Sequence, residues 1–249
     1  PDVGPQSLVL LDRRDESEDV TSFVFANPTG AALPDFAPGQ HLPIRIASPN
    51  EAEPTARTYS LSDAPNGKTY RISVKRHAEG RVSRALHDGL QPGDRLDVFP
   101  PSGDFVLDAE AFAAEDTIVL MSAGVGVTPV LAMLKSLADR AEAGRPVPRV
   151  AWVHGARDGR HHALADEVDE AGARLPHFQR LVAYSQPRSE DRVEIDFDVS
   201  GRLDVEKLQR ALCTGPTEAY LCGPPAFLAE SRAALERLGL EAERIHWEQ

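Results

Sequence analysis

Two rhythms of apolar and polar positions divide the chain. Between residues 7 and 108 the apolar positions fall in short runs at 8–11, 21–25, 41–46, 58–61, 70–74 and 95–99, several of them alternating one in two. A period of two puts successive side chains on opposite faces of an extended strand. Turn-forming clusters such as Ala64-Pro65-Asn66-Gly67 and Gln91-Pro92-Gly93-Asp94 separate the runs. Many short strands at this spacing predict an antiparallel barrel or sandwich, interrupted by one helix at 82–89. From residue 116 strand-like runs alternate with helix-like ones: 118–121 and 129–142, 149–153 and 164–173, 178–184 and 205–212, 219–222 and 226–238, then 245–247. That alternation predicts a Rossmann-like parallel sheet with helices on both faces, because each parallel connection must cross over the sheet. The polar, alanine-rich stretch 109–115 is the joint, so two domains are expected, 1–110 and 111–249.

A length of 249 residues suits two such domains. The net charge of −12 makes nucleic acid an unfavourable partner. No run approaches the roughly 18 apolar residues of a membrane span. Two cysteines, Cys213 and Cys222, exclude a disulfide framework and any four-thiolate zinc or iron–sulfur site held by this chain alone. A reducing cytoplasm is the expected compartment. The chain starts at Pro1 without an initiator Met or leader-like segment, and is expected to be a processed protein or a piece of a longer one.

The first chemistry-bearing stretch is Ala123-Gly124-Val125-Gly126-Val127-Thr128-Pro129, directly after an apolar run. Gly124 and Gly126 lack a Cβ, so backbone and ligand can approach closely, and Gly126→Val is expected to fill the cradle. Thr128 is expected as the N-cap and Pro129 at the first helical position, where its missing N–H costs nothing. Free amides and the helix dipole then favour an anionic pyrophosphate. On this stretch alone, a plain strand-to-helix turn accounts for the glycines equally well.

Four further motifs flank it in order: Arg57-Thr58-Tyr59-Ser60, Gly80-Arg81-Val82-Ser83, Tyr220-Leu221-Cys222-Gly223-Pro224-Pro225 and Ile245-His246-Trp247-Glu248. With connecting text such as "YSLSDAPNG", "YRISVKR" and "PPSGDF", the chain resembles the ferredoxin–NADP reductase superfamily, and most nearly the reductase portion of flavohaemoglobins. The resemblance implies an N-terminal antiparallel six-stranded flavin-binding barrel followed by a pyridine-nucleotide domain. It implies an FAD-dependent NAD(P)H reductase, with FMN as the alternative flavin. By resemblance, Arg57 contacts the flavin phosphate, Tyr59 packs on the isoalloxazine, Ser60 lies near its N5, and Thr58 completes the motif. Gly80, Arg81, Val82 and Ser83 would take the flavin pyrophosphate. Gly124, Val125, Gly126, Val127, Thr128 and Pro129 would take that of the nucleotide. Cys222, Gly223 and Pro224 would lie beside the nicotinamide, and Glu248 would be the acid near the flavin. Ser60, Cys222 and Glu248 form the candidate catalytic set.

Three positions stay open on their own residues. His41, in "PGQHL", stands where the family commonly has Tyr, and a half-buried structural histidine is the alternative to a cofactor contact. Arg157 suits a 2′-phosphate and Asp158 a free 2′-hydroxyl, so NADH and NADPH are both allowed. His161-His162 lacks a third ligand, and no metal site is expected. The resemblance implies a haem or [2Fe-2S] acceptor on another domain or partner. A free-standing flavin reductase or oxidase and a non-catalytic nucleotide sensor are the alternatives.

Overall fold

The computed structural model describes residues 4–46, 55–203 and 215–249. Its first half is a sheet of β1 (Gln6–Asp15), β2 (Val20–Ala26), β3 (His41–Ile46), β4 (Thr55–Ser60), β5 (Thr69–Lys75) and β6 (Arg95–Val98). The strands run antiparallel in the order β4-β3-β6-β1-β2-β5. Just past β4, Leu61 bridges Ile72 in β5, so the two outer strands meet and the sheet closes into a barrel. Alternate residues fill it, among them Leu8, Leu10, Phe23, Phe25, Ile72 and Val98. Helix α1 (Arg81–Gly89) inserts Val82 and Leu86 into the same core. The Arg13 guanidinium donates to the carbonyls of His87 and Leu90, each at 3.0 Å, and caps the end of α1 where helical carbonyls lack partners.

The second half contains β7 (Thr117–Ala123), α2 (Val127–Glu142), β8 (Arg149–Ala156), α3 (Ala165–Ala173), β9 (Phe178–Tyr184), β10 (Val199–Ser200), β11 (Thr217–Cys222), α4 (Pro225–Arg237) and β12 (Ile245–Glu248). The strands pair in parallel in the order β10-β9-β8-β7-β11-β12. Ile118, Leu120, Val150, Trp152 and Tyr220 face α2 and α3. Their neighbours Val119, Met121, Ala151, Val153, Ala219 and Leu221 face α4. Burial on both faces is why these strands read as continuous apolar runs. The chain starts at β7, moves outward to β10, then returns to β11 on the other side of β7. That reversal opens a crevice at the carboxyl ends of β7 and β11, where α/β sheets bind ligands.

The start of α2 differs from expectation. A 3-10 turn, Gly124–Gly126, leads straight into a helix at Val127, with Gly126 rather than Thr128 as N-cap. Pro129 therefore lies within the first turn instead of opening it. Its missing N–H is one of the first-turn donors that lack a helical acceptor in any case, so the ring still costs the helix nothing. The Thr128 hydroxyl donates to the Val125 carbonyl at 3.1 Å. β10 is a two-residue strand with no periodic signal. The helix expected at 205–212 lies outside the described residues, as does Cys213.

Candidate functional site

β4 breaks the rule that fills the barrel. Arg57 and Tyr59 register opposite Ile44 and Leu42, which are fully buried, so all four share one side of the sheet. Yet Arg57 is exposed and Tyr59 only half-buried. A core-facing row that carries a guanidinium and an aromatic face at the sheet's edge is a local violation of pattern, and such violations mark sites. Burial raises the Tyr59 pKa and nearby Arg57 lowers it, with burial prevailing, so the phenol keeps its proton. Arg57 Nη1 donates to the Ala56 carbonyl at 2.8 Å.

Ser60 points the other way and registers opposite His41. The His41 backbone bridges Ser102, and its Nε2 lies 3.2 Å from Ser102 Oγ. Gly103 lies flat on the imidazole: a Cβ there would stand 2.9 Å from Nδ1, and its φ of +119° is glycine's own. His41 Nδ1 is also 3.8 Å from Oε1 of Glu248. Glu248 closes β12 and registers with Cys222 of β11. Ser60, His41, Glu248 and Cys222 thus form one row running from barrel to parallel sheet.

The electrostatics of the row are set by burial. Desolvation raises the Glu248 pKa, only partly offset by His41. Burial, then the neighbouring Glu248 carboxylate, push the Cys222 thiol up to about 12. Burial and Glu248 thus favour the neutral thiol over the nucleophilic thiolate. Oε2 of Glu248 is buried without a hydrogen-bond partner. An orphaned buried acceptor costs about 1–3 kcal/mol, so this atom suits a donor on a bound molecule.

The two glycines of the loop have separate jobs, and one expectation is corrected. Gly124 has φ +55° and open space around its missing Cβ, so it faces the crevice. A Cβ on Gly126 would stand 2.2 Å from the Cys222 carbonyl oxygen and 2.8 Å from the Gly223 nitrogen. Its bareness makes room for the end of β11, not for a ligand, so Gly126→Val would strike protein backbone rather than fill the cradle. The side chains of Val127, Thr128 and Pro129 are buried and shape the helix start. Pro224 is the N-cap of α4. A Cβ on Gly223 would collide with the Phe227 ring.

At α1, Gly80 is the N-cap and a Cβ there would crowd Ser83 Oγ at 2.5 Å. Ser83 is buried, donates its hydroxyl to the Gly80 carbonyl at 3.1 Å and accepts the His77 N–H at 3.2 Å. Val82 is in the core and Arg81 is exposed. What this motif offers an anion is thus the N–H groups of its first helical turn, with Ser83 holding the loop's shape.

The crevice has a volume of about 960 Å³ and is lined at the strand ends by Gly124, Val125, Gly155, Arg157, Arg202 and Phe227, among others. The Arg157 side chain is 62% exposed, whereas that of Asp158 is 3% exposed. Asp158 accepts from the His161 backbone at 3.2 Å and contacts its Nδ1 at 2.7 Å. Burial raises its pKa, but His161 outweighs this and holds it below the usual range. The carboxylate is turned inward to hold its loop, and Arg157 faces outward. Arg160 pairs with Glu190 at 3.2 Å. His161 and His162 diverge: His162 is buried, stacks on His154 at 4.9 Å and meets the Tyr184 hydroxyl at 2.9 Å. Sequence reasoning missed Ser102, Gly103, Arg202 and Phe227. The "PPSGDF" text was the available signal for the first two.

Comparison with known proteins agrees with this geometry. The family described as "Oxidoreductase FAD-binding domain" matches residues 7–107, and "Oxidoreductase NAD-binding domain" matches 120–233. A flavohemoprotein of Deinococcus radiodurans is 43% identical over 229 residues, 92% of this chain and 55% of that protein. The chain thus spans little more than half of the curated relative's length. The solved FAD/NAD-binding domain of a nitric oxide dioxygenase from Vibrio cholerae superposes with a TM-score of 0.85 at 32% identity, covering 99% of this chain and 98% of that one. Phthalate dioxygenase reductase, described as a modular structure for electron transfer from pyridine nucleotides to [2Fe-2S], has a TM-score of 0.75 at 27% identity, covering 98% and 68%. Among the described residues no helix is long and apolar enough to cross a membrane.

Proposed function

The chain belongs to the ferredoxin reductase family of FAD- and NAD-binding oxidoreductases, and from that membership we propose that it is the electron-entry half of a haem-linked redox system. It is an FAD-dependent NAD(P)H oxidoreductase. The observation that carries the rest is the row Ser60–His41–Glu248–Cys222, which joins the two halves where two flat rings would meet. A bound flavin supplies the conversion of a two-electron hydride donor into single-electron output. The chain's own residues bind, orient and exclude water. Arg57 and the first turn of α1 hold the flavin's phosphates, and Tyr59 lays its face against the ring. The 124–126 amides and the positive end of α2 hold the nucleotide's pyrophosphate. Cys222, kept neutral, packs against the nicotinamide, while Ser60 and Glu248 set hydrogen bonds near the flavin. Holding the reactants in register is the protein's main contribution to rate.

Several finer readings rest on the same footing. The division at 110/111 falls in the gap between the two matched families. The acceptor is a haem-bearing domain on the remainder of a longer polypeptide or on a partner, as the flavohemoprotein relative's name and greater length suggest. A [2Fe-2S] acceptor is the second reading, favoured by the phthalate dioxygenase reductase likeness. At the crevice lip, outward Arg157 and inward Asp158 favour a 2′-phosphate, so NADPH is bound at least as well as NADH. The unpaired thiol of Cys222 suits a reducing cytoplasm.

The test is direct. The purified protein is expected to be yellow and to bleach when NADH or NADPH is added without oxygen. A colourless protein that binds nucleotide would point to a sensor and overturn the reading.

A further inference from the structure

Four charged side chains meet at the seam on the side of the molecule formed by α2 and α3. Arg71 of β5 is 8% exposed and its Nη1 lies 2.5 Å from Oε1 of Glu167 on α3. Lys135 on α2 reaches the other oxygen of Glu167 at 2.9 Å and Oδ1 of Asp63 at 2.5 Å. Arg71 also donates through Nε to Ser62 Oγ at 3.1 Å and through Nη2 to the Ser62 carbonyl. Two of these groups, Asp63 and Arg71, come from the barrel, and two, Lys135 and Glu167, from the helices of the nucleotide half. Burial alone would raise the Glu167 pKa, but Arg71 and Lys135 outweigh it and hold the carboxyl below its ordinary value, so Glu167 is a carboxylate at neutral pH.

What the cluster joins gives it significance. Asp63 lies three residues beyond Ser60, on the segment that leaves β4. Lys135 lies on α2, two turns beyond the glycine loop. Both ends of the ionic chain, Asp63 and Arg71, belong to the barrel, Asp63 on the segment that leaves the flavin-motif strand. They clamp its two middle members, Lys135 on the helix whose start cradles the nucleotide and Glu167 on α3. The apolar seam nearby involves Val20, Phe105 and Leu107 against α2. Such contacts are non-directional and allow sliding, whereas a partly buried ionic pair with fixed donors specifies register.

Resting on the reading above, we propose that Asp63, Arg71, Lys135 and Glu167 are positioning residues: their ionic chain sets the offset between the flavin strand and the nucleotide helix, and so the spacing of the two rings. None of the four lines the crevice at the ends of β7 and β11. A misplacement of about 1 Å far from the chemistry can slow a reaction on the order of a hundredfold.

The experiment compares wild type with Glu167→Gln and Asp63→Asn as flavin-loaded proteins, mixed anaerobically with NADPH or NADH. Flavin bleaching and the long-wavelength charge-transfer absorbance of stacked nicotinamide and flavin are followed together. Nitroxide pairs introduced at exposed Leu11 and Ile195, in a Cys213→Ser background, report the spacing of the halves without either cofactor. Both variants are expected to slow hydride transfer at saturating nucleotide by about ten- to a hundredfold. The charge-transfer band should weaken and the nitroxide distances broaden, with flavin content and nucleotide dissociation constant little changed. Melting that is lowered while rate, band and distances stay at wild-type values in Asp63→Asn overturns the proposal. If Glu167→Gln fails to fold, the more exposed Asp63 decides alone. A wild type that never bleaches refutes the functional reading itself, whereas bleaching at one rate in all three proteins refutes only the positioning role.

Discussion

Replacing each glycine of the nucleotide loop by alanine should give opposite phenotypes. In Gly126→Ala the new methyl would start 2.2 Å from the Cys222 oxygen and 2.5 Å from its carbon, both backbone atoms that no rotamer change can move aside. Ordinary carbon contacts begin near 3.5 Å, so α2 and the end of β11 must separate by about 1 Å. Overpacking of this kind costs about 1–3 kcal/mol, a fall in melting temperature of about 2–12 °C for a chain of this size. The moved segment carries Cys222, so hydride transfer at saturating nucleotide should fall by on the order of a hundredfold. In Gly124→Ala the methyl meets nothing within 4 Å, but φ is +55°. The left-handed backbone costs about 1–2 kcal/mol, and the methyl projects into the crevice. There the nucleotide's KM should rise several-fold while the saturated rate stays near wild type. Anaerobic stopped-flow over a nucleotide titration, with melting curves, separates the two. If Gly126→Ala transfers hydride at the wild-type rate, or the two variants exchange phenotypes, the assignment of one glycine to packing and the other to ligand is wrong.

Other expectations follow from single side chains. Arg57→Ala removes a charge-assisted phosphate contact and should weaken flavin binding by about ten- to a hundredfold; a full flavin complement after gel filtration contradicts it. Arg157→Ala should raise the KM for NADPH by about tenfold while changing that for NADH by less than about twofold. Equal shifts with the two nucleotides would remove Arg157 from 2′-phosphate recognition. With its pKa raised from 9.0 to about 12, Cys222 carries about a thousandfold less thiolate at pH 8 than an ordinary thiol. Iodoacetamide should label it only after unfolding, as peptide mapping can follow, and rapid labelling of the native protein would exclude a neutral packing role.

Legibility tracked periodicity. β3 and β9 fall at 41–46 and 178–184 as their apolar pattern predicts: β3 buries Leu42 and Ile44 on one face, and β9 is buried on both faces at its end, Val182–Tyr184. β4 starts three residues before its apolar run, since Thr55, Ala56 and Arg57 pair with β3 without burying a patterned face. Thr128-Pro129 reads as a helix opening, but the 3-10 turn begins the winding earlier and the threonine hydroxyl turns back to the Val125 carbonyl. At the site, Cys222 and the glycine loop are readable because strand ends and φ > 0 have local signatures. The contact of His41 with Glu248 joins opposite ends of the chain and leaves no local trace. Asp158 shows the same limit from the other side: an acid in a charged loop reads as solvated, and only the fold turns it inward.

Because Val20, Phe105 and Leu107 are built into the same apolar cluster as α2, neither half is a detachable cartridge. A chimera that grafts a foreign nucleotide half after residue 110 would inherit a greasy strip shaped for another helix. Exchange of nucleotide preference between relatives is therefore better sought by rewriting the lip around Arg157 than by swapping whole domains.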